Sequence, residues 1–574
     1  MAQAVEIGHE RRLTLEDVAS VCAGAPVSLA PDSRLLLAER RRQIESYVTE
    51  TAEPAYGFNR GFGSNVRDKV DPARLKGLQV NLIRSHSVGL GAAAPVEVVR
   101  ATMLLRAQSL VRGHSGVRPA VIEQLIAFLN AGIAPVVPQL GSVSASGDLT
   151  PLSHVALGLI GEGEVLVEGR RLATPQALDR FGLEPLELEM KEGLALNNGV
   201  QFTAAFGALA TLQLERLLRT AAVTTALSAQ VMLGADTPFR ADLHALRPHP
   251  GSVKLAGWIH ALMAGSPLRE AHRPYEIDGE IQDPYNLRCA AQILGPCWDL
   301  AERARGTLEI EINAVTDNPI LLQAANHKDD GSPWGERAGQ MVEIVSGGHF
   351  HGMPVAVDIY GLLQALSILA SLTNARCQRY VDADRNKGLG PQLKWPGADR
   401  DLGEHPGLLA ERATQSGMML PEYATAALAN WIWGQALPSH LMSLPTDSGQ
   451  EDHVSMGVNV AIRAYEAMPR AAEALAVELA YAGQAAAIRR EMRHLPSRAG
   501  RDDPTAGKTP VDWHPIASEA RRLSPAGEAA VAAIRRHLPP VIEDRALSGE
   551  LQALARALLD GEILAAVGPF VDLE

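Results

Sequence analysis

The sequence predicts a mainly α-helical protein in which a long central helical bundle follows an N-terminal domain of mixed structure. Two observations indicate this fold class. Long stretches rich in Ala and Leu repeat apolar residues at three- and four-residue spacing, which is the period of an amphipathic helix. The chain before about residue 198 has more Gly and Pro and shorter elements, which favours a mixture of short helices, strands and loops.

The predicted elements follow in chain order. A short strand is predicted at residues 164–168, directly before Gly169. Long helices are predicted over residues 199–234, 355–379, 416–437 and 458–489, and runs of this length with little Pro are typical of a bundle. Polar stretches containing Pro and Gly predict loops at 327–339, 387–407 and 497–513. We therefore expect three domains, at residues 1–198, 199–496 and 497–574.

Composition excludes several classes of protein. The 574 residues are 46% hydrophobic and 21% charged, as in ordinary globular proteins, and the net charge of −13 argues against a nucleic-acid partner. The first residues lack the basic and apolar parts of a secretory signal, and no run of about 18 uncharged apolar residues predicts a membrane span. We therefore expect a cytoplasmic protein that does not enter a membrane.

Neither the cysteines nor two short motifs predict a metal or nucleotide site. The four cysteines are widely spread and form no Cys-x-x-Cys pair, which argues against a disulfide framework or a zinc site. His349 and His351 lack further ligands at suitable spacing. Lys508 follows a glycine as in a phosphate-binding loop, but the earlier glycine of that motif is replaced by Asp502. We expect neither a metal ion nor a nucleotide as cofactor.

Three small residues in a row, Ala145-Ser146-Gly147, can undergo an unusual covalent reaction. If the backbone is folded tightly, the Gly147 nitrogen can attack the Ala145 carbonyl carbon and close a five-membered ring. Loss of water, including the Ser146 hydroxyl, then leaves an exocyclic methylidene, which is a strong electrophile. Gly147 permits the tight turn because it has no Cβ. The same residues are also common in ordinary turns and helix caps, so the tripeptide alone is weak evidence.

The longer segment 147–163, GDLTPLSHVALGLIGEG, resembles the histidine and aromatic amino-acid ammonia-lyases. The resemblance implies a methylidene-imidazolone prosthetic group formed from Ala145, Ser146 and Gly147, with Asp148 assisting its formation. It also implies that the N-terminal domain carries this group.

Further strings with the same resemblance occur in family order between residues 56 and 457. The string YGFNRGFG at 56–63 implies that Tyr56 takes the β-proton of the substrate. The string LALNNGVQ at 194–201 implies that Asn198 bonds the prosthetic group or the substrate. The string QDPYNLRC at 282–289 implies that Arg288 binds the substrate carboxylate and that Gln282 and Tyr285 line the site. It also implies a catalytic role for Tyr285.

Three strings depart from the family pattern, the third of them at residues 412–415, and one matches it closely. In GGHFHG at 347–352, Phe350 is expected near the prosthetic ring, but His349 stands where Asn is usual. In the Tyr56 loop, Arg60 stands where Thr is more common. The string QEDHVSMG at 450–457 closely resembles the histidine branch.

Selectivity for one amino acid should come from side chains that meet the substrate ring. The pair Ser85-His86 resembles the histidine branch, whereas the tyrosine branch has His-Leu and the phenylalanine branch Phe-Leu at this place. Glu411 matches a family glutamate that faces the substrate imidazole. An unpaired buried ring nitrogen destabilises a complex, so His86 with Glu411 favours histidine. Alternatively, Glu411 is a surface residue and His86 a structural core residue.

The resemblance thus implies an ammonia-lyase that converts L-histidine to trans-urocanate and ammonia. It further implies a homotetramer whose active sites are each built from several subunits. Two alternatives stay open from the sequence: an ammonia-lyase or aminomutase of the same chemistry acting on tyrosine or phenylalanine, and an inactive helical binding protein that has kept the fold.

Overall fold

The computed structural model describes residues 3–51, 74–276, 282–323, 342–395, 414–497 and 512–574. Short helices dominate the N-terminal third of the chain. They are α1 (Leu15–Cys22), α2 (Pro31–Thr51), α3 (Leu75–His86), α4 (Val96–Leu110), α5 (Pro119–Ala131), α6 (Leu149–Leu159), α7 (Thr174–Phe181) and α8 (Glu192–Asn197).

Helices also make up most of the rest of the described chain. They are α9 (Gln201–Val231), α10 (Ala241–Ala245), α11 (Pro250–Met263), α12 (Pro267–Glu276), α13 (Tyr285–Arg288), α14 (Ala290–Glu311), α15 (Met353–Val381), α16 (Leu420–Gln435), α17 (Gly457–Glu491), α18 (Pro525–His537), α19 (Ser548–Leu559) and α20 (Glu562–Val567). The prediction of a mainly helical protein with long helices is confirmed.

The strands form small sheets of two or three members. β1 (Val5–Ile7) pairs in parallel with β2 (Val27–Leu29). The antiparallel pairs are β3 (Leu90–Ala93) with β5 (Pro138–Leu140), β8 (Ile320–Gln323) with β9 (Val342–Val345), and β10 (His494–Ser497) with β11 (Asp512–Pro515). A three-stranded antiparallel sheet consists of β4 (Ile133–Pro135), β6 (Glu164–Val167) and β7 (Arg170–Ala173). The strand predicted at 164–168 is therefore observed. Glu168 and Gly169 connect it to β7 with positive φ at both residues, as tight hairpin turns require.

The predicted long helices are present, and two further long helices, α2 with 21 residues and α14 with 22, were not predicted. α9, α15, α16 and α17 lie within a few residues of the helices predicted at 199–234, 355–379, 416–437 and 458–489. α14 contains Pro296, and a proline usually interrupts a helix because it removes a backbone donor and crowds the preceding turn.

The described chain divides into two compact units. The first comprises Met1–Leu212, Arg303–Tyr360 and Pro438–Tyr465, and the second comprises Gln213–Glu302, Gly361–Leu437 and Glu466–Glu574. This division is by spatial contact, and the three-domain division along the sequence stays a prediction.

In the first unit, aromatic and aliphatic side chains pack between parts of the long helices. Phe206 of α9 meets Phe202 and the Tyr465 ring edge-on, with ring centroids 5.1 Å and 5.4 Å away. Gly207 faces Leu308 and Ile359 so closely that a Cβ there would need the Ile359 side chain to move. Close packing of this kind fixes the N-terminal end of α9, which adjoins the Ala145–Gly147 turn.

In the second unit, a buried polar network joins three long helices. Arg376 of α15 pairs with Glu478 of α17 at 2.8 Å, and both side chains are fully buried. Tyr380 donates to Ser228 of α9 at 2.9 Å and stacks on Tyr481 with ring centroids 5.5 Å apart. Losing one member would leave a buried charge or hydroxyl without a partner, so the network fixes the register of these helices.

One helix among the described residues, α15, is long and apolar enough to cross a membrane by length and composition. Of its most apolar window, 61% is buried inside the protein. A buried core helix of a soluble protein passes the same test, so this helix is weak evidence for a membrane span.

Candidate active site

The Ala145–Gly147 segment forms a tight turn directly before α6. Gly147 has φ +77°, and a Cβ at this position would overlap the backbone of Gly199. The Asp148 N–H donates to the Gly199 carbonyl at 2.6 Å, which holds the two chain segments together. Ala145 is 6% exposed and packs with Val454 and other apolar side chains. The turn therefore accepts only small residues at Ala145 and Gly147, as its predicted chemistry requires.

Both polar groups of Ser146 are engaged. Its hydroxyl donates to Glu451 Oε1 at 2.6 Å, and its carbonyl oxygen accepts from Asn198 Nδ2 at 2.6 Å. The second oxygen of Glu451 accepts from the Thr446 hydroxyl at 2.6 Å. A carboxylate on the hydroxyl and an amide donor on the carbonyl suit the removal of the hydroxyl as water, because one can handle a proton and the other can stabilise charge on oxygen.

Asp148 is fully buried and cross-links the turn to the start of α9. Its carboxylate accepts from the Ser144 hydroxyl at 2.9 Å and from Thr203, through the backbone N–H at 2.7 Å and the hydroxyl at 2.9 Å. Thr203 lies in the first turn of α9, where backbone donors lack helical partners and a negative charge is favoured. Burial nevertheless raises the pKa of Asp148 to about 6. These contacts indicate that Asp148 has a positioning role, in which it holds the Ala145–Gly147 turn against the start of α9.

A second carboxyl lies near Asp148. Glu311, the last residue of α14, has its pKa raised to about 7 by burial and by the charge of Asp148. Two carboxyls that repel each other titrate as a pair, so removing one should lower the pKa of the other.

An Asp148→Asn substitution should change how stability depends on pH. The folded pKa of Asp148 lies above its ordinary value, so this carboxyl supports folding at low pH and that support is lost as pH rises through about 6. We expect the unfolding free energy of the wild type, relative to the variant, to fall by about 3 kcal/mol between about pH 4 and pH 7. Melting curves over this range test it, with the exposed Asp179→Asn as control. A constant difference would contradict a raised pKa.

His86 ends α3 and is half-buried. Its Nδ1 lies 2.9 Å from the Leu82 carbonyl oxygen, and because a carbonyl only accepts, Nδ1 carries the proton. Nε2 of the neutral ring is then an acceptor. Burial lowers the pKa of His86, and the charges of Glu451 and Asp447 oppose this shift in part. His86 is therefore close enough to Glu451 to feel its charge, and Glu451 is the residue that accepts from the Ser146 hydroxyl.

The GGHFHG loop approaches the same region. Ser455 donates to the Ser144 carbonyl at 3.1 Å, and a side chain at Gly352 would crowd both serine hydroxyls. His351 Nε2 donates to the His453 carbonyl at 3.1 Å, because His351 Nδ1 accepts from a backbone N–H. Phe350 is half-buried in this loop. Its predicted place against the prosthetic ring stays a prediction.

Arg288, predicted to bind the substrate carboxylate, lies beside Gln282 and Tyr285, which were predicted to line the site, and all three belong to the second unit. Arg288 donates to the Asp283 carbonyl at 2.7 Å and to Gln282 Oε1 at 2.6 Å. Its guanidinium lies 4.6 Å from the Tyr285 ring centroid, and Tyr285 is 67% exposed. The cluster orients Arg288 while leaving its Nη1 edge for a further acceptor such as a carboxylate.

Two predicted residues lie outside the described residues, namely Tyr56 and Glu411. Glu451 was not predicted as a site residue, although it lies in the string QEDHVSMG. A signal is present there, because QEDH places two adjacent carboxylates in a family-like motif. Only the structure shows that Glu451 contacts Ser146, which is 305 residues away in the sequence.

A comparison with protein families gives the same assignment as the motifs. The family model for aromatic amino acid lyases matches residues 13–506. The chain belongs to the aromatic amino acid lyase family. The predicted family and carbon–nitrogen lyase class are thereby confirmed. Within this family the chain is 38% identical over 566 residues to a histidine ammonia-lyase of Symbiobacterium thermophilum, covering 98% of each chain. It is 37% identical to a histidine ammonia-lyase of Anaeromyxobacter dehalogenans, over 96% of this chain and 98% of the relative.

Solved structures of the aromatic amino acid lyase family share the fold. A tyrosine aminomutase from Streptomyces globisporus has a TM-score of 0.81 and 32% identity, over 100% of this chain and 99% of that one. A histidine ammonia-lyase from Trypanosoma cruzi also has a TM-score of 0.81, with 27% identity over 99% of this chain and 96% of that one. Because lyases and mutases share this fold, the fold alone does not decide between them.

Proposed function

We propose that this chain is a histidine ammonia-lyase, which eliminates ammonia from L-histidine to give trans-urocanate. The observation that carries the proposal is the setting of Ser146. It lies in a turn that only small residues can adopt, between the amide of Asn198 and the carboxylate of Glu451, with His86 nearby. Relatives named histidine ammonia-lyase, similar over nearly the whole chain, support the choice of substrate.

The turn fits the formation of a methylidene-imidazolone from the chain itself. The Gly147 nitrogen bonds to the Ala145 carbonyl carbon, and the former carbonyl oxygen leaves as water with the Gly147 and Ser146 amide protons. The Ser146 hydroxyl then leaves as a second water with the Ser146 Cα proton. No oxidant or other reactant is needed. Glu451, on the leaving hydroxyl, is placed to supply a proton.

When formed, the group supplies an electrophile that captures the substrate amine and so makes it a better leaving group. The side chains of the chain do the rest. Tyr56 removes the β-proton, and it needs a lowered pKa for this because a free tyrosine is a weak base near neutral pH. Arg288 binds the carboxylate, with Gln282 and Tyr285 beside it. No metal ion or nucleotide takes part in this proposal.

Selectivity for histidine is assigned to His86 and Glu451. Loss of the Ser146 hydroxyl as water removes the donor that Glu451 Oε1 holds, so this oxygen becomes free to accept from a substrate imidazole N–H. The protonated form of the substrate imidazole has a second N–H, for which His86 Nε2 is the acceptor. A phenylalanine ring has no donor for either, and would leave the carboxylate desolvated without a partner. Glu411, which lies outside the described residues, is proposed to face the substrate imidazole as well.

The test is ammonia release and near-ultraviolet absorbance with L-histidine, L-tyrosine and L-phenylalanine in parallel. We expect a conjugated product and ammonia with histidine alone. Turnover only with an aromatic substrate would keep the chemistry and overturn the selectivity. A β-amino acid product without ammonia would identify an aminomutase instead, and an inactive protein of full encoded mass would indicate a binding protein that has kept only the fold.

We expect His86→Leu to lower kcat/KM for histidine by roughly tenfold to a hundredfold, because a buried ring nitrogen of the substrate loses its partner. The melting temperature should change little, since His86 is only half-buried. Steady-state kinetics with histidine measure the effect, and the exposed His260→Leu serves as the control. An unchanged kcat/KM would remove His86 from the selectivity argument.

The assembly and location are also proposals. We propose a homotetramer with shared active sites. Large apolar side chains exposed on α16 support association, among them Leu420 at 54%, Tyr423 at 62% and Trp433 at 49%. We propose a cytoplasmic location. All four cysteines are free in the structure, as is usual in a reducing compartment.

A further inference from the structure

A completely buried arginine lies behind the Asn198–Gly199 segment. Arg106 of α4 donates through Nη1 to the Asn198 carbonyl at 2.6 Å and to Gln201 Oε1 at 3.0 Å, and through Nη2 to the Ser109 hydroxyl at 3.2 Å. Gln201 is fixed in turn, because its Nε2 donates to the Thr316 hydroxyl at 2.7 Å. The guanidinium therefore binds the Asn198 carbonyl on the segment that faces the turn, and the Gln201 side chain fixes the guanidinium in place.

The charge of Arg106 is poorly compensated for a buried group. Its Nε has no acceptor among the described residues. The carboxylate in its vicinity, Asp317, already binds Lys191 Nζ at 2.7 Å, so two buried cations share one buried anion. Burial lowers the pKa of Arg106 to about 10, which still leaves it charged at neutral pH. A poorly compensated buried charge destabilises the fold. A purely structural role therefore does not explain why an arginine is present at this position.

The residue that Arg106 binds is the same residue that binds Ser146. Asn198 accepts from Arg106 through its backbone carbonyl and donates from its side chain to the Ser146 carbonyl oxygen at 2.6 Å. The next residue, Gly199, packs on Gly147 and accepts from the Asp148 N–H. A shift of the Asn198–Gly199 peptide would therefore move two groups together: the Asn198 side-chain amide that donates to the Ser146 carbonyl, and the Gly199 backbone that packs against Gly147.

We propose that Arg106 is a positioning residue, which fixes the Asn198–Gly199 peptide so that the turn can close its ring and Asn198 stays on the Ser146 oxygen. This rests on the proposed function. Ring closure needs the Gly147 nitrogen held against the Ala145 carbonyl carbon, and the Gly199 backbone lies so close to Gly147 that it limits how far this residue can move away. The bonds formed and the two waters lost are those given above, and Arg106 gains and loses no proton.

The experiment compares Arg106→Met with Arg100→Met in the full-length protein. Arg100 lies on the same helix, is 7% exposed, and donates to the carbonyls of Val21 and Leu129, away from the turn. The first readout is intact mass, which gives the fraction of chains that have lost two waters. The second is kcat and KM for histidine in the dehydrated fraction. Arg106→Lys is made as the conservative variant, since it keeps the charge and one bond.

We expect Arg106→Met to be largely unprocessed and its processed fraction to have kcat reduced roughly tenfold or more at little-changed KM. Arg106→Lys should recover part of the processing, and Arg100→Met should be processed fully. Complete dehydration and normal kcat in Arg106→Met would overturn the proposal, as would equal loss in Arg100→Met. If Arg106→Met does not fold, incomplete dehydration of folded Arg106→Lys supports the proposal and complete dehydration overturns it. A wild type of full encoded mass would instead refute the proposed function.

Discussion

Ser146→Ala is expected to lower ammonia release from histidine by roughly a thousandfold or more, because the variant has no hydroxyl to lose and cannot form the methylidene. The variant should still fold. Ser146 is half-buried, and in the mature wild type its hydroxyl has already left as water, so the variant loses no hydrogen bond to Glu451 that the mature protein has and the melting temperature should change little. Activity and melting temperature are measured on the same preparation.

Intact mass decides whether lost activity in Ser146→Ala has the expected cause. Wild-type protein should be two water molecules lighter than its encoded chain, and the variant should not. Ser367→Ala is the matched control, because its hydroxyl donates only to the Leu363 carbonyl of its own helix. Normal turnover in Ser146→Ala would refute the electrophile. High activity in a wild type that keeps its full encoded mass would also refute the electrophile.

The long helices could be predicted because their apolar period is local information. α9 and α17 are recognisable from sequence alone, since helical spacing repeats over many turns. α14 was not predicted, and it contains Pro296, where the surrounding protein overrides the local preference against proline in a helix. α17 likewise contains Pro469, but its apolar period continues over enough turns to have been recognised. The limits of the other helices differ from the predicted ones by a few residues, as expected for ends that depend on capping.

The site could be predicted as a set of motifs but not as a set of contacts. Ser146, Gly147, Asp148 and Asn198 were identified from strings and lie together in the structure. Glu451 was not identified as a site residue, because its contact with Ser146 is set by the folding of distant segments. Arg106 was not identified either. A buried arginine on an apolar helix face gives no local signal of what it binds.

The proposed homotetramer with shared active sites predicts that two inactive variants can restore each other. Ser146→Ala lacks the electrophile and Arg288→Ala lacks the carboxylate partner, so each homotetramer should be nearly inactive. If Ser146 and Arg288 of one site come from different protomers, tetramers that contain both variants should regain some intact sites. With equal amounts and random assembly, roughly a quarter of the sites would combine two intact residues.

Co-expression of the two variants with different affinity tags, followed by sequential purification, isolates the mixed tetramers for assay. Ser146→Ala mixed with Ser146→Gly is the matched control, since no arrangement of those two chains contains an intact electrophile. Recovery in the first mixture and none in the second would show that Arg288 acts on a neighbour's electrophile. Mixed tetramers without activity would place both residues of a site on one protomer. The exposed Tyr285 beside Arg288 favours recovery, because a side chain that serves a neighbouring protomer must be accessible before assembly.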